Sequence, residues 1–317
     1  MKFDSVAKKA IKKYDIKVKT IRFLTEETNV FYEILSESNE KYVLKIYQEE
    51  SSNINDNIAE HFLLKVIQEK TQVRTARVIK NETNETVTKI KYPNKRGYKR
   101  TALYEYLEGR NIDGIEDLKY FRKMGQILAS MHLATKNLNL PDDVNPKKYD
   151  KVFYFEGEEA IYHKPRYKKY LTKDMIEILD ELIPYINIKL YNLYIDENPQ
   201  LIHGDLNPWN IKVHNDEIRI FDFEEALFGL PIHDIAIFLY YYYNHQTLKY
   251  YEIKKEFLSG YSEITELPNN VTDANLEMIM IARRINFFNY VLYIRKNPKK
   301  YIETSFPKIR EYYFSYK

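Results

Sequence analysis

Short alternating runs of apolar and polar residues come first along the chain. "TIRFL" (20–24), "VFYEIL" (30–35) and "KYVLKIY" (41–47) are rich in β-branched and aromatic residues and are separated by polar turns, which predicts strands of a small antiparallel sheet. In "INDNIAEHFLLKVIQEK" (54–70), Ile54, Ile58, Phe62 and Val66 recur at four-residue steps with Leu63 and Ile67 beside them, the spacing of an amphipathic helix. Two more strands, "TVTKIKY" (86–92) and "KRTALYEYL" (99–107), complete a five-stranded antiparallel sheet with one helix; "PNKRG" between them reads as a solvated hairpin tip. After Gly109 the helical period takes over. Leu118, Phe121, Ile127, Leu128 and Met131 share one face of a helix over 115–135, where Gly125 suggests close approach to a neighbour. Residues 140–171 are irregular, 173–194 are amphipathic, and three or four helices follow from 232. One of these, "IARRINFFNYVLYIRK", is strongly aromatic and basic, and of Arg283 and Arg284 one is expected to pack its stem while the other faces water. The pattern predicts an α+β fold of two lobes, a small β-rich one over 1–107 and a larger, mainly helical one over 108–317.

Composition changes this picture only by exclusion. The 317 residues, 44% hydrophobic, are enough for a sizeable core. Basic residues exceed acidic ones by only 49 to 46, too little to demand nucleic acid or an anionic membrane as partner. The absence of cysteine excludes disulfides, thiolate metal sites and cysteine nucleophiles. The apolar run at 235–243 is far short of a membrane span of about 20 residues, and the charged N-terminus lacks a signal-peptide core, so a cytoplasmic location is expected.

Candidate chemistry concentrates in "HGDLNPWN", His203 to Asn210. The following "IKVHNDEIRIF" has two alternating runs around Asn215-Asp216, a pair suited to a two-residue hairpin turn. Ile211 then faces Ile220 and Val213 faces Ile218, so the apolar pairs match on one face. The same register sets Asn210 opposite Phe221, leaving Asp222 next to Asn210 at the open end, with Asp205 in the loop upstream. An asparagine oxygen and a carboxylate are hard ligands, suited to a magnesium ion that also binds substrate phosphates. A second carboxylate nearby can orient a hydroxyl and accept its proton. The combination is that of phosphoryl transfer.

"HGDLNPWN" followed by "IFDFEEALFGLPIHDIA" resembles the catalytic loop and metal-binding segment of the aminoglycoside phosphotransferase-like (choline kinase-like) small-molecule kinases, which have a protein-kinase-like bilobal fold. Upstream, "YVLKIY", "AEHFLL", "LYEYLEG" and "MGQILASMH" resemble the family's lysine strand, helix glutamate, interlobe hinge and following helix, in the family's order. The resemblance implies ATP or GTP and Mg2+ in an interlobe cleft, with Asp205 as catalytic residue, Asn210 and Asp222 as metal ligands, and Lys45 on the α- and β-phosphates. It implies further that Glu60 orients Lys45 and that backbone groups of Glu105 and Leu107 meet the adenine edge. The acceptor would be a small hydroxyl compound, bound by 140–195 and the C-terminal helices. Their mixed charges favour a smaller or partly anionic metabolite over a polycation.

The chain departs from the family in one stretch: the phosphate-covering segment, "LTEETNVF", has no glycine. Trp209 stands where the family often has a small residue. Glu224 is a candidate further metal contact, Asp234 a helix cap that braces the loop, and His203 a structural residue bonded to the loop backbone. A protein kinase is disfavoured, because only 12 positions separate Asp222 from Asp234 and Gly204 replaces the arginine of that family's loop. A kinase-like binding or structural protein, as in spore coats, is the other alternative; the glycine-free segment favours it, while Lys45, Asp205, Asn210 and Asp222 oppose it.

Overall fold

The computed structural model describes residues 2–48, 52–92, 97–115, 117–155, 157–244 and 250–317; all of the expected hairpin tip "PNKRG" except Gly97 lies outside them. In chain order the elements are α1 (Asp4–Ile11), β1 (Val18–Glu26), β2 (Val30–Ser36), β3 (Lys41–Ile46), α2 (Ile54–Lys70), β4 (Arg74–Thr75), β5 (Val78–Ile79), β6 (Thr88–Lys91), β7 (Tyr98–Glu105) and β8 (Arg110–Asn111). They continue with α3 (Leu118–Thr135), β9 (Lys147–Lys148), α4 (Pro165–Lys168), α5 (Lys173–Asp196), β10 (Gln200–Ile202), β11 (Ile211–His214), β12 (Glu217–Ile220), β13 (Leu227–Gly229), α6 (Pro231–Asn244), α7 (Tyr250–Ser262), α8 (Asp273–Ile294) and α9 (Lys299–Tyr316). No helix among the described residues is long and apolar enough to cross a membrane.

The chain divides into two compact units. The first comprises Met1–Ile115, Asn139–Pro146 and Pro208–Ala226, so it takes in a segment lying well beyond residue 107. Its main sheet runs β1-β2-β3-β7-β5, with β6 also paired to β7, and every pairing is antiparallel. The five expected strands are present. The sixth, β5, is two residues long, too short for alternation to show in the sequence. The unexpected element is α1. Val6, Ala7, Ala10 and Ile11 form its apolar stripe and bury against Tyr32, Ile34, Leu44 and Leu103 of the sheet. The spacing was legible, but the surrounding lysines concealed it.

The hairpin of β11 and β12 pairs Ile211 with Ile220 and Val213 with Ile218, the register set by a turn at Asn215-Asp216. Both turn residues have positive φ, 50° and 62°, as this turn type requires. β8 and β4 extend the hairpin to four strands in the order β4-β12-β11-β8. Gly109, at φ 133°, lets the chain enter β8, since a Cβ there would lie 2.8 Å from the Val213 carbonyl oxygen.

The second unit, Glu116–Leu138, Lys147–Asn207 and Leu227–Lys317, is helical around a small sheet in the order β10-β13-β9. Its core is aromatic: Phe238 stacks on Phe257 at 4.5 Å and lies 6.3 Å from Phe121. The approach suggested by Gly125 is to α7, because a Cβ on Gly125 would fall 2.0 Å from the Phe257 carbonyl oxygen. A Cβ on Gly260 would fall 1.9 Å from that of Arg122, so α3 and α7 touch backbone to backbone at two points.

Candidate active site

In the first unit the candidate groups gather around Lys45. β3 carries this lysine inward, 2% exposed, and α2 carries Glu60, 1% exposed, so that Nζ and Oε1 are 3.4 Å apart. α2 starts where it does because Asn53 and Asp56 form a reciprocal cap, each accepting from the other's backbone N–H. A carboxylate as deep as Glu60 needs hydrogen-bond donors. The Tyr104 hydroxyl donates to Oε1 at 2.8 Å and the Tyr47 hydroxyl to Oε2 at 3.0 Å. The two hydroxyls meet at 2.7 Å, and His61 Nε2 lies 2.9 Å from Tyr104 and 3.2 Å from Tyr47. Burial, with Glu224 and Asp222 adding to it, pushes Glu60 up to about 7 against the pull of Lys45. Burial, helped by the Lys45 charge, holds His61 down at about 3, so its imidazole is neutral. Sequence reasoning missed Tyr47, His61 and Tyr104. Each sits on or beside an expected element, but periodicity within elements does not say which side chains meet across them.

The hairpin contributes from its open end. Asn210, 7% exposed, closes a 3₁₀ turn over Pro208–Asn210, and its carbonyl accepts the Phe221 N–H at 3.1 Å, which brings Asp222 next in line. Asp222 has φ 60°, a conformation costly for a residue with a Cβ and common at functional positions. Its Oδ1 lies 3.2 Å from Lys45 Nζ, and Glu224 Oε2 lies 3.1 Å from the same nitrogen. Burial alone would lower the Lys45 pKa, but Glu224, Glu60 and Asp222 carry it well above its usual value, so the ammonium stays charged. Glu224 also accepts a hydrogen bond from Asn29 Nδ2 in the glycine-free segment, and the Asn29 carbonyl oxygen of the side chain accepts the Gln48 N–H at 3.0 Å. That segment, which was expected to cover phosphates, is thus held by a side chain that is 1% exposed.

Three carboxyl groups surround one ammonium, more acid than a single lysine can neutralise, and Glu224 Oε1 is buried with no hydrogen-bond partner among the described residues. Both features suit a divalent cation. Among the described residues no three His, Cys, Asp or Glu side chains are arranged to hold an ion alone. The donors Asn210 and Asp222 therefore fit an ion whose coordination is completed by water and phosphate oxygens, the habit of Mg2+.

Glu105 and Leu107 follow at the end of β7. The Glu105 N–H donates to the Arg77 carbonyl at 2.8 Å, its side chain pairs with Arg74, and the Leu107 carbonyl accepts from Lys212 Nζ at 2.7 Å.

In the second unit, β10 delivers the chain into the loop at His203. Gly204 turns it with φ 81°, a left-handed conformation that favours glycine. Asp234, fully buried, receives the N–H groups of His203 at 3.0 Å and Gly204 at 2.8 Å, and lies 3.3 Å from His132 Nε2. Although burial alone would raise its pKa, those partners lower it, His132 most of all. Asp234 does brace the loop, but as a member of the first turn of α6 rather than as its cap, since the helix already starts at Pro231. His203 Nδ1 accepts the Asp205 N–H at 3.3 Å, a structural role. Asp205 accepts from Asn207 Nδ2 on Oδ2 at 2.8 Å and from Arg283 Nη2 on Oδ1 at 2.6 Å. Contrary to the expectation for α8, neither arginine faces water: Arg283 and Arg284 are 9% and 6% exposed. Trp209 is 44% exposed.

With this geometry in hand, the chain compares with known proteins as follows. The model of the phosphotransferase enzyme family (APH) matches residues 20–267. No curated protein matches by sequence. Among solved structures, an amicoumacin kinase in complex with AMP-PNP, Ca2+ and Ami superposes with a TM-score of 0.81 at 20% identity, covering 98% of this chain and 93% of that one. A microcompartment-associated aminopropanol kinase gives 0.72 at 16%, with 96% and 93% covered, and a spectinomycin phosphotransferase in complex with ADP and its antibiotic gives 0.63 at 16%, with 97% and 93% covered. The fold is therefore the α+β, protein-kinase-like fold, with a sheet-rich N-terminal part and a helical C-terminal part. The chain belongs to the phosphotransferase enzyme family.

Proposed function

We propose that this protein transfers the γ-phosphoryl group of ATP, or of GTP, to a hydroxyl of a small molecule. The observation that carries this reading is the buried Lys45 held by Glu60, Asp222 and Glu224, a cation fixed among more acid than it neutralises. Solved relatives of the same fold bind AMP-PNP or ADP, which supports a nucleotide as donor. On this reading residues 1–107 handle the nucleotide, and 108–317 supply catalysis and acceptor binding.

Lys45 neutralises the α- and β-phosphates, and Glu60, anchored by two tyrosines, keeps the ammonium in place. Backbone groups of Glu105 and Leu107 receive the base. Asn210 and Asp222 would hold Mg2+, which when bound offsets the charge of the phosphates. Asp205 orients the acceptor hydroxyl. As its oxygen bonds to the γ-phosphorus and the bond from that phosphorus to the β,γ-bridging oxygen breaks, the hydroxyl proton passes to Asp205 and the nucleoside diphosphate leaves.

The test is thermal. Native-state binding at a hundredfold excess over Kd adds about 2.7 kcal/mol of stability, so millimolar ATP or GTP should raise the melting temperature only when Mg2+ is present. No magnesium-dependent rise with either nucleotide rejects the proposal. ADP release across a panel of hydroxyl compounds then identifies the acceptor class.

A further inference from the structure

The second charge at Asp205 comes from α8. Arg283 donates through Nη2 to Asp205 Oδ1 at 2.6 Å and through Nη1 to the Tyr154 hydroxyl at 3.4 Å, and it is hydrogen-bonded to Tyr241. Asn207 supplies the donor on the other Asp205 oxygen. A guanidinium as deep as that of Arg283 is costly to bury unless it is paired, and its partner is the part-buried carboxylate of Asp205.

The rest of α8 keeps Arg283 where it is. Asn286 and Asn289 follow at three-residue steps on the same stripe, and both hold the segment after β9. Asn286 Nδ2 donates to the Val152 carbonyl at 3.1 Å, while Asn289 donates to that of Glu159 at 2.9 Å and accepts the Ile161 N–H at 3.0 Å. Tyr154, on that segment, stacks on Phe155 at 4.6 Å and packs on Tyr149 at 4.8 Å. The guanidinium is therefore placed by a scaffold of side chains on α8 and on the segment after β9. A planar fork with a donor fixed on one carboxylate oxygen, matched by Asn207 on the other, sets the rotation of the carboxylate, which a lysine's single-point charge cannot do.

We propose that Arg283 is a positioning residue that aims Asp205 at the acceptor oxygen and acts wholly through that carboxylate. The inference rests on the reading of Asp205 given above. It is tested with MgATP and water as acceptor, following phosphate release in single turnover with enzyme in excess, for wild type, Asp205→Asn, Arg283→Gln, Arg283→Lys and the Asp205→Asn/Arg283→Gln double variant. Arg283→Gln should lower the rate about 10²-fold, the cost of an ångström of misplacement, with the half-saturating enzyme concentration unchanged. Arg283→Lys should recover only part of that loss. In the Asp205→Asn background the same Arg283→Gln change should cost less than about twofold, because residues acting as a unit are not additive. An undiminished loss in that background, or a wild-type rate in folded Arg283→Gln, overturns the inference; if Arg283→Gln does not fold, a wild-type rate in Arg283→Lys does so. A wild-type rate in Asp205→Asn instead removes the reading on which it stands.

Discussion

Asp205 and Lys45 hold opposite charges in opposite ways. Lys45 is surrounded by carboxylates and stays ionised because of them, whereas Asp205 has a fixed donor on each oxygen and is set in one orientation. If Asp205 orients the acceptor, an isosteric amide should remove proton acceptance while leaving phosphate binding intact. Asp205→Asn is expected to lower kcat by about 10²–10⁴-fold with nucleotide affinity preserved, read by kinetics on an identified acceptor and by calorimetric titration of MgATP. Asp205, Asn210, Asp222, Lys45 and Glu60 all stood out in the sequence, because turn chemistry, a hairpin register and strand-to-helix spacing are local. Arg283 did not. Nothing in "IARRINFF" distinguishes an arginine turned to a loop 78 positions upstream from one turned to solvent, since the helical period reports a face and not what packs on it.

Elements show the same division. The strands, α2 and the Asn215-Asp216 hairpin follow from period and turn residues, whereas β4, β5, β8 and β9 are two-residue strands that exist only because a longer neighbour pairs with them. Gly125 announced a close approach without naming its partner. A methyl group on either Gly125 or Gly260 would meet backbone oxygen, which cannot rotate aside as a side chain can, so α3 and α7 would have to separate. Gly125→Ala should therefore destabilise the protein by about 1–3 kcal/mol despite its better helix propensity, measured as a lower denaturation midpoint. An unchanged or raised midpoint would show that the two helices yield at little cost.

Across the whole molecule, stability is tied to pH through histidines buried as neutral rings. Burial lowers His61 to about 3, with the Lys45 charge assisting, and lowers His233 to about 3 despite the opposing charge of Asp234. The unfolded chain binds these protons near pH 6.5 and the folded chain does not, so stability is full above that pH and falls as pH drops toward 3. Glu60 works the other way: its folded pKa is raised to about 7 from 4.5, so the folded state binds the extra proton between those values and gains stability as pH falls through them. Two groups oppose one in that interval; below pH 4.5, of these three, only the histidines still act, and Asp234, whose partners hold it below its usual value, adds to the loss as it protonates. The melting temperature is expected to decline from about pH 6.5 and more steeply below about 4.5, with a shallower decline in His61→Gln; equal slopes in variant and wild type would remove His61 from the account. The sequence alone determined the class of fold, the order of its elements and a short list of polar residues, because periodicity, turn chemistry and the motif around Asp205 are encoded within a few positions. Tertiary structure alone decided what those residues face: the tyrosine–histidine network under Glu60, Asn29 on Glu224, and Arg283 on Asp205. Such contacts join residues tens to nearly two hundred positions apart, and their energies depend on burial and distance, which no local pattern records.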